Sequence, residues 1–341
     1  MLFILGKGRS GTSLLQNLLD AHPGIIGGPE SKFMVVLYPR YAHIKKWKES
    51  DIIDFVEKLY MEPLFATLWH IDKKELTEIL LAAKDVATYT LLCKMVYYQM
   101  RNGKENLIYI SDKNPQYIIY LDTLTKLFPE AKFVHIVRDP RDNIHSEIIS
   151  FKVGNIMFRA YQWVEYNAIV ERRKKKEPGK YLTILYENLV IDTATTMKSV
   201  CDHLNISFSA NMTENKSPDW LNTFQERKGV TDKEKTIHRN LLKPIDISNV
   251  GKWKNKMDPR DQTIAEVVAG DFAKKIYGYD IDNNRDNKPV KISSFDLLKG
   301  KYLYFLWQGF AQLKARSFRF NLFYSKLKRK VNKKVPIWEY F

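Results

Sequence analysis

The first 21 residues constrain the fold of this chain more than any other stretch. Leu2 to Leu5 form a short apolar run typical of a buried strand, and helical apolar spacing follows from Thr12 to Ala21. Between them, Gly6 to Gly11 contain three glycines and two basic residues. A glycine-rich turn between a strand and a helix directs backbone N–H groups and the positive end of the helix dipole at one point. The sequence therefore predicts an anion site in front of a sheet.

The cations of this turn distinguish it from the usual phosphate loop of nucleotide triphosphatases. That loop carries Lys and then Ser or Thr directly after its last glycine. Here Thr12 and Ser13 follow Gly11, whereas the basic residues Lys7 and Arg9 precede it. A P-loop nucleotide kinase is an alternative interpretation, and the missing lysine counts against it.

The positive charge of the chain is concentrated in its C-terminal part. The 341 residues carry 55 Lys and Arg against 39 Asp and Glu, which gives a net charge of +16. Residues 285–341 contain 14 of the basic and 3 of the acidic residues, a local excess of +11. We therefore divide the chain into a main domain, 1–284, and a basic, aromatic extension, 285–341. A nucleic-acid-binding protein is a second alternative, although the main domain lacks a clustered basic stripe.

Strand and helix patterns alternate along the main domain. After the first strand, we expect strands at 25–26, 107–110, 132–137 and 181–185, and helices at 50–61, 73–100, 116–127, 143–151, 158–176 and 186–204. This alternation predicts an α/β fold with a P-loop-like parallel sheet flanked by helices, and it places ligands at the carboxyl ends of the strands. We interpret residues 33–105 as a helical insertion beside the site, on the acceptor side.

The two cysteines predict neither a metal site nor a disulfide. Cys93 and Cys201 lie in helix-like apolar patterns without metal-ligand spacing, so we expect buried thiols. No run approaches the roughly 20 apolar residues of a membrane span. If Met1 is the natural first residue, the absence of a signal-peptide pattern predicts a cytoplasmic protein.

A second polar motif follows the strand expected at 132–137. Arg138 ends that strand and Ser146 lies one to two turns into the next helix, so both can face a phosphate near the helix. Together with the first loop, this motif resembles the sulfotransferase family, whose donor is 3′-phosphoadenosine 5′-phosphosulfate. The resemblance extends from about residue 2 to 281. Further segments that resemble the family follow in the same order as in the family, at 111–117, 127–142, 185–189, 250–259 and 277–279.

The resemblance implies a set of donor-binding residues and no metal requirement. The cytosolic phenol and steroid enzymes carry Lys at the position of Arg9. The sequence of this loop is therefore closer to the Golgi-type and bacterial carbohydrate or tyrosylprotein sulfotransferases. Tyr186 matches the family tyrosine near the adenine. Lys252 and Trp253 match the basic segment that the family carries late in its sequence, called here the late basic segment, and Arg227 to Gly229 is the second-ranked alternative for it. The implied donor-binding residues are Lys7, Gly8, Arg9, Ser10, Gly11, Thr12, Ser13, Arg138, Ser146, Tyr186, Lys252 and Trp253.

Sulfuryl transfer to a hydroxyl needs fixed positive charge and a general base. On the resemblance, Arg9 and Lys113 supply the charge beside the transferred group. Glu30 stands where the tyrosylprotein sulfotransferases carry their catalytic glutamate, so we expect it to be the base. His22 and His145 are the histidine alternatives for this role.

The acceptor and the role of the extension depend on weaker signals. We expect the acceptor to be a hydroxyl or amine, on a saccharide or a glycolipid, and we expect no nucleic-acid partner. The aromatic and basic residues of 301–341 suit the surface of an anionic membrane, which would make the protein peripheral there. The alternative is a C-terminal helix packed on the main domain with a solvated basic end.

Overall fold

The structure is a computed structural model of the chain. The residues it describes are 1–101, 103–151, 155–214, 244–282, 290–316, 320 and 323. Within them, one sheet of parallel strands has the order β2-β3-β1-β4-β5. The strands are β1 Leu2–Leu5, β2 Ile25–Gly27, β3 Tyr109–Lys113, β4 Lys132–Val137 and β5 Tyr181–Leu185. The α/β class and the parallel sheet expected from the sequence are confirmed.

Helices cover both faces of the sheet. Those of the first part of the chain are α1 Thr12–Asp20, α2 Phe33–Val36, α3 Tyr38–Tyr41, α4 Glu49–Tyr60, α5 Pro63–Leu68, α6 Lys73–Ala82 and α7 Tyr89–Tyr98. Those that follow β3 are α8 Leu121–Leu127, α9 Pro140–Phe151, α10 Ile156–Lys176, α11 Tyr186–Ile191, α12 Thr193–Leu204, α13 Trp253–Lys256, α14 Pro259–Tyr277 and α15 Ser294–Arg316.

Two of the expected helices are divided by short polar caps. The stretch 73–100 forms α6 and α7, and the hydroxyl of Thr88 accepts a hydrogen bond from the N–H of Leu91 at the start of α7. The stretch 186–204 forms α11 and α12, divided at Asp192, whose carboxylate accepts from the N–H of Thr195. These caps satisfy N–H groups that a continuous helix would use internally, so the apolar period alone does not locate the breaks.

Strand β3 begins and ends later than its apolar run predicts. The run suggested 107–110, whereas parallel pairing with β1 continues to Lys113, whose partner is Ile4. Lys113 is therefore the last residue of a central strand and not part of the following turn. Its side chain starts at the carboxyl edge of the sheet.

Successive side chains of β1 point to opposite faces of the sheet, so the apolar core has two layers. Phe3 and Leu5 face the block α2 to α7, with which they form one continuous apolar cluster. Leu2 and Ile4 face the opposite side, where they pack with residues of α1, α11 and α12. The insertion expected at 33–105 is thus a helical layer on one face of the sheet.

The strand order places the polar motifs at one edge. Strand β1 lies between β3 and β4. The strands that follow β1 in the chain, β2 and β3, lie on one side of it, and β4 and β5 lie on the other side. Ligands of open α/β sheets bind at such a switch point, outside the carboxyl ends of the strands. The glycine turn, Lys113, Arg138 and Tyr186 all lie at these ends.

The extension begins in a part of the chain outside the described residues. Residues 283–289 are not described, so the division at 284/285 stays a prediction. After it, α15 packs along α10, where Tyr304 and Trp307 contact the ring of Phe158. At least the described part of the extension therefore lies against the main domain.

Candidate active site

The turn after β1 has a conformation that depends on its last glycine. Arg9 and Gly11 both have positive φ, 68° and 95°, and the N–H of Ser10 donates to the carbonyl of Lys7 at 3.1 Å. A Cβ at Gly11 would lie 2.4 Å from the ring of Tyr186. Gly11 is also the N-cap of α1 and offers no side-chain acceptor, so the first N–H groups of α1 face the space in front of the sheet.

Two residues of the turn hold it to α9 through buried contacts. Lys7 is 1% exposed and forms an ion pair with Glu147, and burial lowers the pKa of Lys7 to about 8. Asn143 donates to the carbonyl of Gly8 at 2.9 Å and to the hydroxyl of Ser10 at 3.0 Å. The side chains of Lys7 and Ser10 thus fix the shape of the turn, and the donor contacts expected for them stay a prediction.

The two sequence motifs meet at Arg9. Its Nε donates to the hydroxyl of Ser146 at 3.1 Å, and Arg138 donates to the carbonyl of Arg9 at 3.2 Å. Burial, followed by the nearby guanidinium of Arg138, lowers the pKa of Arg9. Two guanidinium groups held this close in a partly buried position create a strongly positive site that suits a phosphate or sulfate group.

A cleft of about 710 Å³ opens beside these cations. This volume lies within the range of about 300 to 1,000 Å³ that is usual for small-molecule sites. Its lining comprises Arg9, Gly11, Thr12, Ser13, Leu14, Arg138, Asp142, His145, Ser146, Ile149, Ser150, Tyr186, Val190, Pro244, Ile245, Asp246, Asn249, Lys252 and Lys256. Tyr186 forms part of the wall, and the guanidinium of Arg138 lies 4.5 Å from the centre of its ring.

Arg138 has an unused donor that a bound anion could take. It donates to the carbonyl of Asn249 at 2.6 Å through Nη2 and to that of Arg9 through Nη1. Its Nε is buried and has no hydrogen-bond partner within the described part of the chain. A buried donor left without an acceptor is costly, so this nitrogen favours an anionic ligand in the cleft. The residues present therefore fit an anionic ligand such as a phosphorylated nucleotide.

The late basic segment contributes one of its two expected residues to the cleft. Asp142 of α9 accepts from the N–H groups of Gly251 at 2.7 Å and Trp253 at 2.9 Å, which fixes this loop. Lys252 lines the cleft, whereas Trp253 lies outside that lining and stacks at 3.7 Å on the guanidinium of Arg141. The rival segment, Arg227 to Gly229, lies outside the described residues.

The two expected catalytic side chains form a pair next to the turn. Lys113 is 3% exposed, and its Nζ donates to the hydroxyl of Ser13 at 2.9 Å and forms an ion pair with Glu30. The side chain of Glu30 is 26% exposed. Lys113 thus connects a solvent-accessible carboxylate to the first turn of α1, where an anion would bind.

Buried contacts that sequence reasoning did not identify hold the segment that follows Glu30. The hydroxyl of Ser31 donates to Glu62 at 2.8 Å, and the hydroxyl of Tyr117 donates to the carbonyl of Ser31 at 3.0 Å. Glu62 also caps α5, and this position directly before Pro63 is a signal that could have been found in the sequence.

Asp112 completes this set of buried contacts. Its carboxyl group contacts the hydroxyl of Tyr117, and burial raises the pKa of Asp112 to about 7. When Asp112 is protonated, its O–H can donate to the hydroxyl oxygen of Tyr117. The hydroxyl proton of Tyr117 can then be donated to the carbonyl of Ser31. These residues position the loop that carries Glu30 without facing the cleft.

The described histidines differ in their suitability as a base. His22 accepts from the N–H of Gly24 through Nδ1 at 2.9 Å, and its Nε2 lies 3.0 Å from the carbonyl of Ser207, so both ring nitrogens are engaged. His135 is fully buried, and burial lowers its pKa to about 3. His145 lines the cleft but belongs to α9, on the side of Asp142 and Lys256. Glu30 is thus the better placed proton acceptor next to Lys113.

The described residues contain no cluster of three or more His, Cys, Asp and Glu side chains that could hold a metal ion. The positive charge at the cleft comes from protein side chains. Arg9, Arg138, Lys252 and Lys256 are the Arg and Lys residues of its lining.

Comparison with known proteins identifies the family. A sequence model of the sulfotransferase family matches residues 2–210. The chain belongs to the sulfotransferase family. The resemblance seen in the sequence is confirmed, and the nucleotide-kinase alternative is wrong.

The relatives of this sulfotransferase include enzymes with different acceptors. It is 27% identical over 296 residues to protein-tyrosine sulfotransferase 1 of Danio rerio. This match covers 84% of this chain and 74% of the relative. It is 23% identical over 248 residues to the omega-hydroxy-beta-dihydromenaquinone-9 sulfotransferase of Mycobacterium bovis, over 60% of this chain and 62% of the relative. Relatives this distant leave the acceptor of this sulfotransferase open.

A solved structure supports the fold of this sulfotransferase. The sulfotransferase domain of the olefin synthase from Synechococcus PCC 7002 has a TM-score of 0.54 and 21% identity, over 83% of this chain and 95% of that chain. The chain is a sulfotransferase, and its donor is the 3′-phosphoadenosine 5′-phosphosulfate of its family. The Arg and Lys residues that line the cleft, and so are available to hold the phosphate groups of that donor, are Arg9, Arg138, Lys252 and Lys256.

Proposed function

We propose that this sulfotransferase transfers the sulfuryl group of 3′-phosphoadenosine 5′-phosphosulfate to a hydroxyl group, with Glu30 as the general base. The new S–O bond to the acceptor replaces the S–O bond to the 5′-phosphate, and adenosine 3′,5′-bisphosphate leaves as the product. The observation that carries the proposal is the position of Lys113, whose ammonium contacts both Glu30 and Ser13. A donor bound to the first turn of α1 and an acceptor hydroxyl near Glu30 would therefore lie on the two sides of one cation.

Each residue has a role that follows from its position. The donor, when bound, supplies the activated sulfuryl group. Glu30 accepts the proton of the acceptor hydroxyl, which makes that oxygen a better nucleophile. Lys113 holds positive charge beside the site of transfer, and the N–H groups of α1 and Arg9 bind the anionic end of the donor.

The nature of the acceptor is the finer part of the proposal. We propose a saccharide or glycolipid hydroxyl, and two observations support an acceptor of this kind. The loop around Arg9 resembles those of carbohydrate sulfotransferases, a likeness that it shares with the tyrosylprotein enzymes, and one relative is named for a hydroxylated menaquinone, which is a lipid. A tyrosyl hydroxyl of a protein is the second candidate, because the tyrosine sulfotransferases match the chain over 84% of its length.

A transfer assay with labelled donor distinguishes these acceptors. The full chain is incubated with ³⁵S-labelled donor in the presence of EDTA, with a glycolipid extract, a set of oligosaccharides, or tyrosine peptides. We expect label in the lipid or saccharide fraction. Label in the peptides alone would replace the saccharide proposal with the tyrosyl one. Transfer to none of the three, with donor intact, would contradict a hydroxyl acceptor of either kind.

A further inference from the structure

Helix α15 has one apolar face packed on the main domain. Leu297, Tyr304 and Ala311 are each at most 9% exposed on this face. Trp307 packs on the ring of Phe158, with 5.9 Å between the ring centres. A Cβ at Gly300 would lie 2.1 Å from Met157, so the approach of α15 to α10 requires glycine at this position.

The opposite face of α15 is also apolar, and it is exposed. We call it the outer stripe, which consists of Phe295 (73% exposed), Leu298 (67%), Tyr302 (63%), Phe305 (49%), Leu306 (47%) and Leu313 (57%). With 3.6 residues per turn, these six positions fall within an arc of about 100°. An exposed apolar surface of this kind, arranged along a whole helix, marks an interaction site.

Basic residues border the outer stripe on both sides. Lys299 and Lys301 are exposed and lie on opposite sides of the arc, and the Nζ of Lys301 is 6.0 Å from the centre of the Phe305 ring. Residues 285–341 together carry an excess of 11 positive charges. An apolar surface bordered by lysines matches the headgroup region of an anionic bilayer, where apolar side chains insert and cations contact lipid phosphates.

The packing of α15 on α10 adds further charge at one end of the stripe. Met157 contacts Gly300, and Tyr166 contacts Trp307 further along both helices, so α10 and α15 run in the same direction. The exposed basic residues at the end of α10 therefore lie beside the C-terminal half of α15. They are Arg172, Lys175 and Lys176.

We propose that the outer stripe of α15 docks on an anionic lipid bilayer, with the helix lying in the plane of the headgroups. A second copy of the chain is a poorer occupant, because pairing two such helices would bring two strongly positive segments together. Within the described residues no helix has the length and apolar content to pass through a bilayer. The proposal is independent of the acceptor.

Cosedimentation with vesicles tests this proposal on the full chain. Vesicles of phosphatidylcholine alone are compared with vesicles that also contain phosphatidylglycerol. We expect binding only to the anionic vesicles, with affinity falling as salt is raised. The triple variant Phe295→Ser, Leu298→Ser, Tyr302→Ser is expected to lower the partition coefficient about 10-fold or more, because three inserted apolar side chains are lost.

A matched variant controls for general loss of surface hydrophobicity. Val86→Ser, Ile108→Ser and Ile191→Ser change side chains that are 69%, 59% and 61% exposed on other parts of the surface. We expect this variant to bind like the unmodified chain, with thermal unfolding showing that both variants fold. Absence of binding to anionic vesicles, or equal binding of the two triple variants, would overturn the proposal. So would a dimer in solution that the α15 variant dissociates in the absence of any vesicle binding.

Discussion

Glu30→Gln is expected to lower turnover about 10²- to 10⁴-fold, because glutamine keeps the shape of glutamate but cannot accept the acceptor proton. Affinity for adenosine 3′,5′-bisphosphate should stay unchanged, since Glu30 lies outside the lining of the nucleotide cleft. Turnover is measured with labelled donor and saturating acceptor, and nucleotide affinity by isothermal titration.

A surface carboxylate of the helical insertion, Glu57, serves as the control for this substitution. Glu57 is exposed and pairs with Lys73 away from the sheet edge, so Glu57→Gln should leave turnover unchanged. Near-normal turnover of Glu30→Gln at neutral pH would assign the role of base elsewhere. His145 would then be tested next, since His22 uses both ring nitrogens in contacts with the backbone.

The second large effect is expected for Arg138→Ala. A charge-assisted contact between a buried guanidinium and a phosphate contributes about 2 to 3 kcal/mol, so affinity for adenosine 3′,5′-bisphosphate should fall about 30- to 160-fold. Affinity for adenosine 5′-monophosphate, which lacks the 3′-phosphate, should change little. Isothermal titration of both nucleotides into the same protein sample measures the difference directly.

The comparison of two nucleotides separates binding from structural damage, which matters because Arg138 also donates to the carbonyls of Arg9 and Asn249. Lys254→Ala is the matched control, since it removes a nearby exposed cation that lies outside the cleft lining. We expect Lys254→Ala to bind both nucleotides normally. Equal loss of affinity for the two nucleotides in Arg138→Ala would show that Arg138 does not recognise the 3′-phosphate.

The sequence predicted the elements whose signals are local. The parallel sheet was predicted from apolar runs such as those of β1, β4 and β5. The edge of the sheet at which the site lies was predicted from the glycine turn. The polar ends of the strands predicted that Arg138 and Ser146 would face a phosphate near one helix. In the structure both residues also contact Arg9 of the glycine turn. The length of β3 could not be predicted in this way, since Ser111 to Lys113 are polar and enter the sheet only through pairing with β1.

Side-chain direction within the site depends on partners far away in the sequence. Lys7 pairs with Glu147 and Trp253 stacks on Arg141, so neither side chain lines the cleft. The contacts of Ser31 with Glu62 and Tyr117 join the insertion to the segment after Glu30. No local pattern encodes such pairs, because each forms only after the helices have packed on the sheet.

The central claim is that the cleft beside Arg9 and Arg138 binds a 3′-phosphorylated adenine nucleotide. Isothermal titration of adenosine 3′,5′-bisphosphate, ATP with Mg²⁺, and duplex DNA into the full chain tests it directly. We expect the bisphosphate to bind with one site per chain, about 100-fold tighter than ATP with Mg²⁺, because the guanidinium groups of Arg138 and the partly buried Arg9 are both available to its phosphate groups. Equal or tighter binding of ATP with Mg²⁺ or of DNA would contradict the account.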